Sequence, residues 1–174
     1  SVQNEIKFHD VEIPEENILG REGMGFLIAM KTFDRTRTGV AAAAVGNAQA
    51  AYDTAINWTK NRIQFGKPIT ANQAMAFFLA DMSLEIEASR NIVWKAAWAY
   101  DTKQKNFSLL SAMSKLHATD MAMRVTTDAV QAMGGEGYSK EYPVEKMMRD
   151  AKLSQIYEGT NQIQRVVISK AILK

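Results

Sequence analysis

From about Gly25 onward the chain keeps an apolar rhythm of three and four residues, with only short interruptions. Breaks at Gly66-Lys67-Pro68, Lys103–Asn106, Gly134–Gly137 and Glu158-Gly159 leave four principal helices, about 25–62, 71–102, 107–133 and 160–172. A shorter helix is opened by Pro143 in its first turn. The pattern predicts an all-α fold, an up-and-down four-helix bundle with extra short helices. The first helix carries Ala41–Ala44, Gly46, Ala48, Ala50 and Ala51, whose small side chains permit close neighbours on several sides. On the third, Met113, Met121, Val125, Ala129 and Met133 trace one row and Leu116, Met123 and Val130 another. Two apolar rows predict that other subunits or domains cover the outside. Ahead of the helices, Ile6, Phe8, Val11 and Ile13, bounded by Pro14 and Gly20, read as one or two short strands. Such a pair is marginal alone and needs a sheet from elsewhere.

Composition narrows the chemistry. A net charge of +2 over 174 residues gives no footprint for nucleic acid or an anionic membrane, so neither is expected as a partner. No stretch approaches the roughly 20 apolar residues of a membrane span. The absence of cysteine excludes thiolate chemistry, disulfides and thiolate-bound metals within this sequence. The first residues, Ser1-Val2-Gln3-Asn4, show neither an apolar signal core nor an Arg/Ser-rich leader. His9 and His117 lack the Glu-x-x-His spacing of di-iron bundles, and no metal site is expected.

Three clusters remain. In Gln155-Ile156-Tyr157-Glu158-Gly159-Thr160-Asn161-Gln162-Ile163-Gln164-Arg165, a single carboxylate stands before a Thr able to cap a helix. Ile163, Val167 and Ala171 then recur on one face of that helix. Glu158 falls just outside the helix N-terminus, where backbone N–H groups point outward. That suits a base with an oxyanion donor beside it, although a glutamate there also serves simply to complement the helix dipole. Gln131 through Tyr138 contains Gly134, Gly135 and Gly137, which read either as a helix C-cap or as bare backbone against a ligand. Asn61 through Pro68 includes Arg62, Gln64 and Phe65: a bidentate phosphate donor, a polar hook and a stacking plate, with Gly66 as a helix cap.

Along its whole length the chain resembles the C-terminal part of the acyl-CoA dehydrogenases, most closely the straight-chain medium- and short-chain members. Phe8 through Gly20 resembles the end of the family's middle β domain, which implies a β remnant and linker over residues 1–22 and the helical domain over 23–174. The resemblance implies coenzyme A contacts at Phe33, Asp34, Arg35, Thr36 and Arg37, and substrate contacts at Tyr157 and Gly159. It implies FAD contacts, some made across a subunit boundary, at Arg62, Ile63, Gln64, Phe65, Asn72, Gln73, Gln131, Gly134, Gly135, Thr160, Asn161 and Gln162. Glu158 takes the role of catalytic base. Some relatives place that base at the position matching Thr36, which cannot serve.

The activity implied is α,β-dehydrogenation of a fatty acyl-CoA, of medium length, in β-oxidation. An electron-transferring flavoprotein is the implied acceptor and a homotetramer the implied assembly. An oxidase of similar fold and a purely associative bundle are the alternatives. The compartment implied is the mitochondrial matrix, or the cytoplasm for a bacterial protein. Without the other domains, the 174 residues are expected to fold but not to turn over substrate.

Overall fold

The computed structural model describes residues 3–174; Ser1 and Val2 lie outside the described residues. Six helices follow one another: α1 (Gly25–Asn61), α2 (Gln73–Asp101), α3 (Phe107–Met133), α4 (Gly135–Tyr138), α5 (Val144–Ser154) and α6 (Asn161–Ile172). The all-α expectation holds, and each long helix begins and ends within about two residues of its predicted limits.

The core is built from small residues. Ala41, Ala44, Ala48, Ala51 and Ala55 on α1 are all buried, as are Ala118, Ala122, Val125, Ala129 and Ala132 on α3. Steps of three and four set each row on one helical face, and the missing side-chain bulk lets α1 and α3 form the most extensive helix pair. Larger groups, Met82 and Ile86 on α2 and Met121 and Met133 on α3, fill the space towards α2 and α5. Gly137 packs α4 onto the end of α3. A Cβ there would stand 2.6 Å from the Val130 carbonyl oxygen and 2.9 Å from Met133 Cβ. Gly137→Ala is expected to lower stability by about 1–3 kcal/mol, read as a fall in the denaturation midpoint.

The fourth position of the bundle is filled in two pieces. Asn47 Nδ2 donates to the Met147 carbonyl at 2.9 Å, which sets α5 against the middle of α1. Asn161 then meets Thr119, and the far end of α6 lies beside Ser108 and Leu109. Thus α5 and α6 run in succession antiparallel to α3, interrupted at Gln155–Thr160. α3 is therefore the central helix, touching α1, α2, α4, α5 and α6. Within the chain, Met121, Val125, Ala129 and Met133 of the first row are buried, whereas Met113 and the second row, Leu116, Met123 and Val130, are only half-buried.

Three expectations change. Residues 3–14 form no strand; Ile6, Phe8, Val11 and Ile13 are exposed and no neighbouring strand supplies the ladder they need. The one β element lies instead after α1, where β1 (Ile63–Gln64) pairs antiparallel with β2 (Lys67–Pro68). Phe65 at φ 53° and Gly66 at φ 76° make its two-residue turn, so Gly66 shapes a hairpin and does not cap a helix. On α6 the buried residues are Asn161 and Gln164, whereas Ile163 is 49% exposed. The reason lies in the turn that precedes α6.

Candidate functional site

α5 ends without a glycine cap, and Ile156 and Tyr157 both donate their N–H to the Leu153 carbonyl. Glu158 (φ 52°) and Gly159 (φ 88°) then adopt left-handed conformations in succession. Thr160 begins α6 as its N-cap, its hydroxyl accepting from Ile163 N at 3.3 Å, as the sequence predicts.

This double reversal turns two carbonyls inward, where donors from three helices meet them. Arg37 Nε donates to the Glu158 carbonyl at 3.2 Å. Lys115 Nζ and Gln164 Nε2 donate to the Gly159 carbonyl at 3.0 and 2.9 Å. A buried carbonyl without a partner is expensive, so polar residues occupy the inner face of α6 where apolar ones were expected. With the carbonyls held inside, the Glu158 N–H has no acceptor among the described residues. The half-buried Glu158 side chain lies outward against α1, its Oε2 accepting from Thr36 Oγ1 at 2.6 Å.

The donors are themselves braced. Arg37, only 4% exposed, pairs with Asp34 Oδ1 at 2.7 Å. Asp34 in turn accepts from Ser108 Oγ at 2.9 Å and, through its carbonyl, from Ser111 Oγ. Lys115 has no exposed surface and also donates to Asn161 Oδ1 at 2.8 Å. Asn161 Nδ2 and Gln155 Nε2 both reach Asp120 Oδ1 at 2.7 Å, and Arg165 meets Asp120 Oδ2 at 3.1 Å. Burial lowers the Lys115 ammonium to about 8, with Arg37 adding to the shift and Asp120 and Glu158 opposing it. Burial, and then the Glu158 carboxylate, raise the Tyr157 hydroxyl.

The predicted site residues fall into two groups. Thr36 and Arg37 meet Tyr157, Glu158, Gly159 and Thr160 through Gln162 at the turn, with Asp34 behind Arg37 and with Phe33 and Arg35 on the same stretch of α1. Within that group, Arg37 and Asn161 direct their side chains into the domain, and Arg35 lies over the Tyr100 ring at 5.4 Å. The second group collects where α1 and α3 end and α2 begins: Arg62, Ile63, Gln64, Phe65, Asn72, Gln73, Gln131, Gly134 and Gly135, all exposed. Arg62 leans on Trp58 at 5.7 Å, and Phe65 is 94% exposed at the hairpin tip. The 26 residues from Thr36 to Arg62 correspond to about 39 Å of helix, farther apart than one extended flavin dinucleotide reaches.

Lys115 was not legible as a site residue, because a lone lysine in a helix ordinarily reads as solvated surface. Among the described residues, no group of His, Asp or Glu side chains is arranged to hold a metal ion, and no helix is long and apolar enough to cross a membrane.

Fold and turn together define a helical domain that presents one carboxylate on a residue whose backbone N–H has no acceptor among the described residues. Residues 23–173 match the family described as acyl-CoA dehydrogenase, C-terminal domain. The short-chain specific acyl-CoA dehydrogenase of Megasphaera elsdenii is 54% identical over 170 residues, 98% of this chain and 44% of that protein. A solved structure of butyryl-CoA dehydrogenase from the same organism superposes with a TM-score of 0.91 at 54% identity, covering 96% of this chain and 43% of that one. The cyclohex-1-ene-1-carbonyl-CoA dehydrogenase of Geobacter metallireducens is 51% identical over 99% of this chain and 46% of its own length. The FAD complex of PigA has the same fold, with a TM-score of 0.87 at 30% identity over 95% of this chain and 43% of that one. The chain belongs to the acyl-CoA dehydrogenase family and corresponds to its C-terminal domain, spanning a little under half the length of these relatives.

Proposed function

We propose that the protein containing this domain removes hydrogen from the α and β carbons of an acyl-CoA thioester, with Glu158 as the base. The observation that carries this reading is the turn itself, which sets a carboxylate and an unpaired N–H side by side on rigid supports. Glu158 takes the α-proton, and the electron pair of that C–H bond becomes the new double bond as the β-hydrogen departs as hydride. The Glu158 N–H faces the thioester oxygen on which negative charge develops. FAD, when bound, supplies the hydride acceptor. Thr36 orients the carboxylate, while Arg37, Lys115 and Gln164 keep the turn from collapsing towards solvent.

The residues present fit such a cofactor in two separate pieces. Thr160 and Gln162 lie beside the turn, and the open Phe65 ring, Arg62 and bare Gly134-Gly135 backbone lie at the distant end. A separation of about 39 Å supports sharing of one flavin between copies, and hence an oligomer, with a tetramer as the proposed form. Phe77, Leu84, Trp94 and Trp98, each at least 57% exposed on α2, support an associating surface. The exposed apolar residues between Ile6 and Leu19 support assigning residues 1–22 to a neighbouring β domain. Phe65→Ala is expected to leave the melting temperature unchanged, because the ring packs on little within the chain. It should weaken FAD binding by about tenfold, measured by flavin fluorescence titration.

The medium-chain preference implied by the sequence gains no support from relatives named for short-chain and cyclic acyl groups. The relatives named above with their source are bacterial, which favours the bacterial cytoplasm over the mitochondrial matrix. The test uses a protein that also carries the segments its relatives have beyond this span. Turnover is compared with butanoyl-, octanoyl- and cyclohexanecarbonyl-CoA, with an electron-transferring flavoprotein or oxygen as acceptor. Oxygen consumption equal to turnover would identify an oxidase, and no turnover with any thioester would leave an associative bundle.

A further inference from the structure

We infer that Lys115 is a positioning residue for this reaction, a buried cation that fixes the Glu158-Gly159 turn and supports negative charge developing beside it. The inference rests on the reading of Glu158 as the base. Burying a lysine completely inside a bundle of alanines is costly unless the ammonium is fully engaged. Its partners lie towards the turn: the Gly159 carbonyl and the Asn161 side chain, which is itself tied to Asp120. Lys115 therefore joins the central helix to the carbonyl of the residue immediately after the base.

The charged groups facing Lys115 come from every side. Arg37 on α1, paired with Asp34, lies beneath the same turn; Asp120 on α3 lies one helical turn along; Glu158 stands on the turn; and Arg165 on α6 is tied to Asp120. Two buried cations, Arg37 and Lys115, thus hold adjacent carbonyls of the segment whose N–H faces the substrate oxygen. The peptides so held carry the Gly159 and Thr160 N–H groups, which the two cations polarise directly, while the Glu158 N–H is placed through the fixed geometry of the turn. Loss of the Lys115 proton at high pH removes that charge while leaving the turn's sequence intact.

The test compares wild type, Lys115→Met, Asp120→Asn and Glu158→Gln in the FAD-loaded protein, following flavin bleaching by octanoyl-CoA between pH 6.5 and 9.5. The wild-type rate is expected to fall with a midpoint near 8, where the Lys115 ammonium titrates. Asp120→Asn removes an anion that sustains that ammonium, so the fall should move to lower pH, by about one unit. Lys115→Met should lower the rate about 10²-fold and abolish the fall. Hydrogen–deuterium exchange, read without FAD or substrate, should be faster across residues 155–163 in Lys115→Met. A midpoint unmoved by Asp120→Asn overturns the inference, even where Lys115→Met fails to fold. So does a folded Lys115→Met with the wild-type rate and profile. Activity retained by Glu158→Gln would instead overturn the assignment of the base.

Discussion

Glu158→Gln is expected to reduce the rate of substrate oxidation by about 10³-fold or more while leaving the fold intact. The amide has nearly the volume of the carboxylate, and its carbonyl oxygen can still accept from Thr36 Oγ1, which now stands 2.6 Å from Oε2. Arg37 holds the backbone carbonyl of Glu158, so that support of the turn survives, although the Lys115 ammonium loses one of the two carboxylates that sustain it. The capacity to accept an α-proton disappears. Melting temperature and subunit association should match wild type within error, and acyl-CoA should still bind. A parallel loss of stability would mean that the carboxylate is structural.

The second large effect is expected at Gly159. Its φ of 88° is open to glycine and strained for any L side chain, and a Cβ would stand 2.9 Å from Gln164 Nε2 and 3.4 Å from an Arg37 guanidinium nitrogen. Those two side chains hold the carbonyls of the turn, and Gln164 has no exposed surface into which to retreat. Gly159→Ala should lower stability by about 2–4 kcal/mol, combining left-handed strain with overpacking. Gly66→Ala is the matching control. It has φ 76° but nothing within 4 Å of its built Cβ, so it should show only the backbone part, about 1–2 kcal/mol. Chemical denaturation of both variants separates the two contributions. Activity should fall with Gly159→Ala, because an ångström of displacement at the turn misplaces both base and donor.

The long helices were legible because their apolar spacing and their breakers agree. Thr160 was legible as a cap because the hydroxyl stands where orphan N–H groups need it. Glu158 stood out through its position before that cap and through resemblance, and the structure adds its contact with Thr36. Apolar spacing failed on α6, where Ile163 is exposed and Asn161 and Gln164 are buried, because it takes no account of inward-facing backbone acceptors. Lys115 was hidden for the same reason: its partners are a carbonyl and an amide 44 and 46 residues further along the chain. The strand expectation at Ile6–Ile13 failed because Asp10 breaks the segment at φ 47° and no partner edge lies beside it among the described residues. The hairpin at Ile63–Pro68 was missed because strands of two residues carry almost no period.

The most direct test of the account is anaerobic flavin bleaching by acyl-CoA in the FAD-loaded protein, with Glu158→Gln beside wild type. Rapid bleaching in wild type and none on the same timescale in the variant, with both folded alike, is the predicted result. Equal bleaching in the two would contradict it and place the base elsewhere.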